Sequence, residues 1–121
     1  MFKSEVDTAS NLLKVRYAGR VSSAETRQAA GQVEEVLKGV QPGFRLLADL
    51  SALESMDLDC VPDLEKMMDA CNKHGASLVV RVIPDPHKDI GLNIMSLFHY
   101  HRGVRIVTCA TLEEAARVLE S

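Results

Sequence analysis

The residues that could do chemistry in this chain are its serines, aspartates, histidines and cysteines, and their spacing decides what they can do. Serine, histidine and aspartate together suggest acyl transfer, but no G-x-S-x-G elbow holds a serine on a strained turn. Four histidines raise the question of a metal. His99 and His101 are two apart on a predicted helix, where the 3.6-residue turn sends their side chains about 200° apart. Neither H-E-x-x-H spacing nor a cysteine pair supplies further ligands, so no metal site is expected and His101 reads as a partly buried histidine. Cys60, Cys71 and Cys109 are odd in number and widely spaced, which suits buried or neutral thiols in a reducing compartment rather than a disulfide framework. Cys60 and Cys71 return to nearly the same helix face but about 16 Å along the axis, too far for one site. The absence of G-x-x-x-x-G-K-S/T removes a phosphate-binding loop. The chain is read as non-enzymatic, with no catalytic residues and no cofactor.

The stretch from Asp49 to Asp63 stands apart. It holds Asp49, Asp57, Asp59 and Asp63 and runs off a buried strand into a helix N-terminus. In an open α/β sheet, function gathers at the carboxyl ends of the strands, and a helix N-terminus offers free amides and positive potential to an anion or phosphoryl group. The bland alternative is that Asp57, Asp59 and Asp63 cap the helix and complement its dipole, worth about 0.5–2 kcal/mol for a cap.

The elements that would position this segment follow from hydrophobic period. Phe2, Ser4 and Val6 alternate with Lys3 and Glu5, and Leu13, Val15 and Tyr17 alternate with Lys14 and Arg16, so two strands flank the polar turn at Asp7–Asn11 as a hairpin. Ser22-Ser23-Ala24-Glu25 is a capping box, opening a helix with Thr26, Ala29, Ala30, Val33, Val36, Leu37 and Val40 on its apolar face. After Pro42-Gly43, the run Phe44 to Leu50 reads as a central strand. A second helix starts among Asp57, Asp59 and Pro62, buries Val61, Leu64, Met67, Met68 and Cys71, and ends at Lys73, His74 and Gly75. Ser77 to Ile83 is a further strand. Asp85-Pro86 opens a third helix with Ile90, Ile94, Leu97, Phe98 and His101 on one stripe, closed by Gly103. Val104 to Thr108 is the last strand. Thr111-Leu112-Glu113-Glu114 caps a final helix burying Leu112, Ala115, Ala116 and Leu119. The order β-β-α-β-α-β-α-β-α makes an α/β fold with a mixed sheet, parallel where strands alternate with helices.

Composition bounds the rest. The 121 residues, 46% apolar and 26% charged, suit one globular domain spanning 1–121. A net charge of −3, only 4% aromatics and no tryptophan argue against nucleic acid as partner. No apolar run approaches the roughly 18 residues of a membrane helix, and no basic block precedes one at the N-terminus. The expectation is a cytoplasmic protein with no membrane insertion.

Within this frame, Asp49-Leu50-Ser51-Ala52-Leu53-Glu54-Ser55-Met56-Asp57 resembles the strand and loop of STAS domains, the family of sulfate transporters and anti-sigma factor antagonists, which reads approximately D-L-S-G-V-x-F-I/M-D-S-S-G-L. The interval from Asp49 to Asp57 matches. Tyr17-Ala18-Gly19-Arg20-Val21 is similar to the family's strand ending in G-x-L, with Ser22 where an aspartate usually caps the first helix. Ala110-Thr111-Leu112-Glu113-Glu114-Ala115 resembles its closing helix. The likeness covers nearly the whole chain and implies the SpoIIAA-like fold and a small switch protein that binds a kinase and is regulated by phosphorylation. Matched by position, Asp57 keeps the aspartate, Leu58 replaces the first serine, Asp59 replaces the serine that is phosphorylated in the bacterial antagonists, and Cys60 replaces the glycine. Asp59 cannot accept a phosphoryl group from a serine kinase. It carries either a permanent partial imitation of phosphoserine or only a helix cap, while Leu58 suggests a hydrophobic partner contact or inward packing.

A receiver domain also places an aspartate after a central strand. Here, two strands precede the first helix, no acidic pair stands near Val6 and Asp7, and Cys109 rather than lysine follows Thr108. The reading is therefore a STAS-like regulatory domain that binds a protein partner, an anti-sigma factor or serine kinase, and a homo-oligomer is compatible with it. The expected contact surface is Ser51, Ser55, Asp57, Leu58, Asp59, Cys60 and Asp63, with Gly19 and Ser22 beside it. The alternative is a small apolar-ligand or lipid-binding domain of related fold, using Ile94, Met95, Leu97 and Phe98.

Overall fold

The computed structural model describes residues 1–56, 58–82 and 104–120. The hairpin forms as the alternation requires: β1 (Phe2–Asp7) pairs antiparallel with β2 (Leu12–Val21), from Phe2 opposite Tyr17 to Asp7 opposite Leu12. Its turn is held by the Asp7 carboxylate, which accepts the amides of Ala9 at 3.1 Å and Ser10 at 3.4 Å. Hydrogen bonding to Ser10 holds that carboxyl below its ordinary value. Asn11 takes the left-handed conformation, φ 52°, a backbone region asparagine tolerates better than most residues.

Helix α1 (Ser23–Val36) starts where Ser22 Oγ accepts the Glu25 amide, at 3.3 Å. It buries Thr26, Ala29, Ala30 and Val33, and continues into a 3-10 turn, Leu37–Gly39, that buries Leu37. The Glu25 carboxylate reaches the N-terminal ammonium of Met1 at 3.0 Å, and this bond, helped by the Ser22 amide, keeps Glu25 below its usual range.

The central strand β3 spans Arg45–Met56, six residues past the expected end at Leu50. The reason lies in its pairing with β2. Between Arg16/Asp49 and Ala18/Ala52, and again between Gly19/Leu53 and Arg20/Ser55, β3 advances one residue more than β2. Such bulges break the two-residue side-chain period that marks a strand in sequence.

Helix α2 (Val61–Lys73) buries Leu64, Met67 and Cys71, with Met68 half-buried. Val61, expected inside, is half-exposed, at the first position of the helix, one residue after the buried N-cap Cys60. The helix ends at His74, whose Nε2 lies 2.9 Å from Val40 O, and Gly75 follows with φ 98°. A Cβ at Gly75 would also stand 3.1 Å from Pro42, so conformation and space both call for glycine. Strands β4 (Leu78–Val82) and β5 (Arg105–Cys109) complete a sheet of order β1-β2-β3-β4-β5, parallel from β2 onward. The third expected helix, with His99, His101 and the Ile94, Met95, Leu97 and Phe98 face, lies outside the described residues.

Each face of the sheet has its own core. Leu13, Val15, Tyr17, Leu46, Leu50 and Val79 point to the face covered by α1 and α2. Val80, Val82 and Cys109 point to the other, where α3 (Leu112–Glu120) seats Ala115. Thr111 Oγ1 caps α3 by accepting the Glu114 amide at 3.1 Å. Leu112 and Ala116, expected to be buried, are exposed, Leu112 by 49%. The nine-residue helix meets the sheet along Ala115, Val118 and Leu119, one turn beyond Leu112. Leu112 instead lines a groove with Lys3, Lys14, Leu47 and Asp49.

Candidate functional site

The two segments singled out in the sequence meet at one end of the sheet. Val21 pairs with Met56, Arg20 with Ser55 and Gly19 with Leu53, so the exit of β2 runs beside the exit of β3. Gly19 has φ 65° at the second bulge, and a Cβ there would meet nothing within 4 Å. Backbone conformation rather than crowding calls for glycine, and the open space lets another group approach the main chain.

Asp49 makes the first bulge. It is 8% exposed, and its Oδ1 accepts both the Ser51 amide at 3.0 Å and the Ser51 hydroxyl at 2.6 Å. Its Oδ2 lies 3.8 Å from Arg16 Nε on the neighbouring strand. The residue that anchors the family-like motif is thus a backbone-shaping group, and Ser51 is its partner on an exposed strand position rather than in a loop.

Beyond β3, Leu58–Cys60 forms a 3-10 turn leading into α2. Cys60, not an aspartate, occupies the N-cap position, and its side chain makes no capping bond. This corrects the expectation that Asp59 is the cap: Asp59 stands one residue earlier, exposed, in the turn. Cys60 is fully buried, with Sγ 3.6 Å from Val21 O, so it ties the β3–α2 connection to the end of β2 and offers no surface to a partner. Asp63, in the first turn of α2, does not cap it either. The single proton of Thr26 Oγ1 is shared between Ser23 O at 3.0 Å and Asp63 Oδ2, the weaker acceptor, at 3.4 Å. Asp57 lies outside the described residues, as do the side chains of Ser55 and Leu58.

The structure therefore gathers Gly19, Ser22, Asp59, Cys60 and Asp63 at the β2–α1 and β3–α2 junctions, and leaves Ser51 apart from them, at the first bulge within β3. At the junctions Ser22 and Asp59 are exposed and Asp63 is half-buried. The arrangement presents carboxylates and a hydroxyl on a surface. Among the described residues, no group of three or more histidine, cysteine or acidic side chains could hold a metal ion.

Sequence reasoning missed two features. The Thr26–Asp63 link joins residues 37 apart, which no local pattern reveals. Arg81 sits 3% exposed on β4 and donates to Thr108 Oγ1 on β5 at 2.8 Å; a charge inside the apolar run Leu78–Val82 was the available signal.

Solved structures share this architecture along the whole chain. The anti-sigma factor antagonist SpoIIAA in its unphosphorylated form superposes with a TM-score of 0.67 at 17% identity, covering 100% of this chain and 99% of the other. The Bacillus cell fate determinant SpoIIAA in the phosphorylated form gives 0.64 at 17% identity over 98% and 99% of the two chains. A Shewanella loihica PV-4 protein of the DUF3478 family, described as having a SpoIIAA-like fold, gives 0.71 at 16% identity over 98% and 93%. No protein-family model and no curated protein matches the sequence. The fold is STAS-like, a mixed α/β arrangement of the SpoIIAA type.

Proposed function

We propose that this chain is a non-enzymatic regulatory domain of the anti-sigma factor antagonist type, cytoplasmic, whose partner is an anti-sigma factor or serine kinase. The observation that carries the reading is the position of Asp59. In a fold shared with SpoIIAA, it stands exposed in the turn that enters α2, at the place where the family resemblance puts a phosphorylated serine. Because it is exposed and Cys60, not Asp59, holds the N-cap position of α2, its charge is available to a partner. A carboxylate supplies one negative charge where phosphoserine supplies nearly two and more acceptor oxygens. The switch is then held near one state, and the recognition surface is Ser51 to Asp63 with the Gly19–Ser22 turn.

The face named for the apolar-ligand alternative, Ile94, Met95, Leu97 and Phe98, lies outside the described residues; a different cavity lies between the sheet and the two helices. Lined by Val15, Tyr17, Leu46, Met67, Met68 and Arg81 among others, it encloses about 60 Å³, against the roughly 300–1,000 Å³ of small-molecule sites.

The test uses wild type and Asp59→Ser as baits in lysate of the source cell, with partners identified and intact mass read for added phosphate. The expected result is that Asp59→Ser gains one phosphate and changes its partner set, with an anti-sigma factor or serine kinase among the proteins held by one or both baits. Two baits that behave alike, neither holding such a protein, would end the antagonist reading.

A further inference from the structure

In the described sheet, β1 is an edge strand whose neighbour is β2. Its hydrogen-bonding parity is fixed by Met1 and Ala18, which exchange bonds in both directions, Ala18 N to Met1 O at 2.9 Å and Met1 N to Ala18 O at 2.8 Å. The antiparallel register continues unbroken to Asp7 opposite Leu12. Alternation then turns the N–H and C=O groups of Lys3, Glu5 and Asp7 toward β2, and those of Phe2, Ser4 and Val6 outward. The strand has neither proline nor bulge, two of the devices that blunt an edge. Phe2 and Val6 remain only partly buried, and Lys3 and Glu5 are exposed.

An outward row of donors and acceptors takes another strand, and the sequence Phe2-Lys3-Ser4-Glu5-Val6-Asp7 complements itself. In an antiparallel pairing of two copies, the hydrogen-bonded positions must be the outward ones, which allows only registers that set Phe2, Ser4 or Val6 against one another. Placing Ser4 opposite Ser4 brings Phe2 opposite Val6 and Lys3 opposite Glu5, so that apolar meets apolar and each charge meets its opposite. Slipping two residues one way puts Lys3 against Lys3, and the other way puts Glu5 against Glu5, both repulsive. Within one chain, Lys3 stands directly opposite Arg16, a like-charge pair that an incoming glutamate would relieve.

We propose that a second copy of this chain docks on β1, antiparallel about a two-fold axis at Ser4, to make one sheet continuous across both molecules. A six-residue strand pair is smaller than the about 1,200 Å² of a stable interface, so the association is weak and reversible.

Sedimentation equilibrium from about 10 μM to about 1 mM measures it directly, with amide exchange read by NMR at both ends of that range. The expected result is a monomer–dimer equilibrium in which the Phe2, Ser4 and Val6 amides gain protection with concentration. Ser4→Pro removes the central outward donor but no bond to β2, and should abolish the dimer while leaving circular dichroism and melting nearly unchanged. Lys3→Glu should weaken association roughly tenfold or more, since it turns two symmetry-related pairs repulsive, and Lys3→Glu with Glu5→Lys should restore it. A chain that stays monomeric to the top of the range overturns the proposal, as does a dimer indifferent to Ser4→Pro and Lys3→Glu.

Discussion

Asp49 and Ser51 show how much local geometry one carboxylate can hold. With both the amide and the hydroxyl of Ser51 on Oδ1, Asp49 compensates the ladder bonds that the bulge removes. Asp49→Ala should lower stability by about 1–3 kcal/mol, the range for removing a hydrogen-bonded charged partner. Ser51→Ala keeps the amide bond and should cost less than about 1 kcal/mol. Urea unfolding of the two variants checks the order, and equal losses would mean that the hydroxyl carries the bulge. At the same scale, Asp59 differs from Asp49 in being exposed, and the recognition role proposed for it rests on that exposure.

At the scale of elements, the hydroxyl of Thr26 bridges the first turns of α1 and α2 through Asp63. Thr26→Val keeps the shape of the fully buried side chain but leaves the half-buried Asp63 without that donor. The expected loss is about 1–2 kcal/mol in urea, with chemical-shift changes centred on the two helix starts. Shifts spread evenly over the sheet would instead indicate a packing defect. The helices themselves were legible because Ser22, Thr111 and Gly75 are strong local signals and because Thr26, Ala29, Ala30 and Val33 keep the 3.6-residue period. The far half of β3 was not legible. Its two bulges destroy the alternation from Leu50 to Met56, so serines and a glutamate at strand positions look like a loop. The aspartates before α2 looked like caps for a similar reason, since sequence shows their proximity to a helix start but not that a 3-10 turn gives the cap position to Cys60. The contact between Thr26 and Asp63 exists only once α1 and α2 lie side by side.

For the molecule as a whole, the phenol of Tyr17 reports on the integrity of the core. Burial, then the neighbouring Cys71 and Cys60, push its pKa far up. The neutral phenol is therefore favoured in the folded state. Stability from this source is complete below the unfolded value near pH 10 and is lost as pH rises from there toward the folded value. Tyr17→Phe keeps the edge-on contact with Phe2, ring centroids 5.0 Å apart, and gives up a weak bond to Met67 Sδ at 3.8 Å. The urea midpoints of wild type and Tyr17→Phe should nearly coincide at pH 8 and separate above about pH 10, with the variant the more stable. Parallel profiles would show that the phenol reaches water in the native state.

The described strands stand in the sheet in the same order in which they occur along the chain. On the ribosome, each strand therefore emerges beside the edge it will join, and none has to wait for a partner translated after its other neighbour. The hairpin, α1 and β3 can assemble before β4 leaves the exit tunnel, and growth then proceeds from one side only. A nascent chain of this design advances at one edge only, so that each newly added strand stays open just until the next joins it, while β1 keeps the opposite edge.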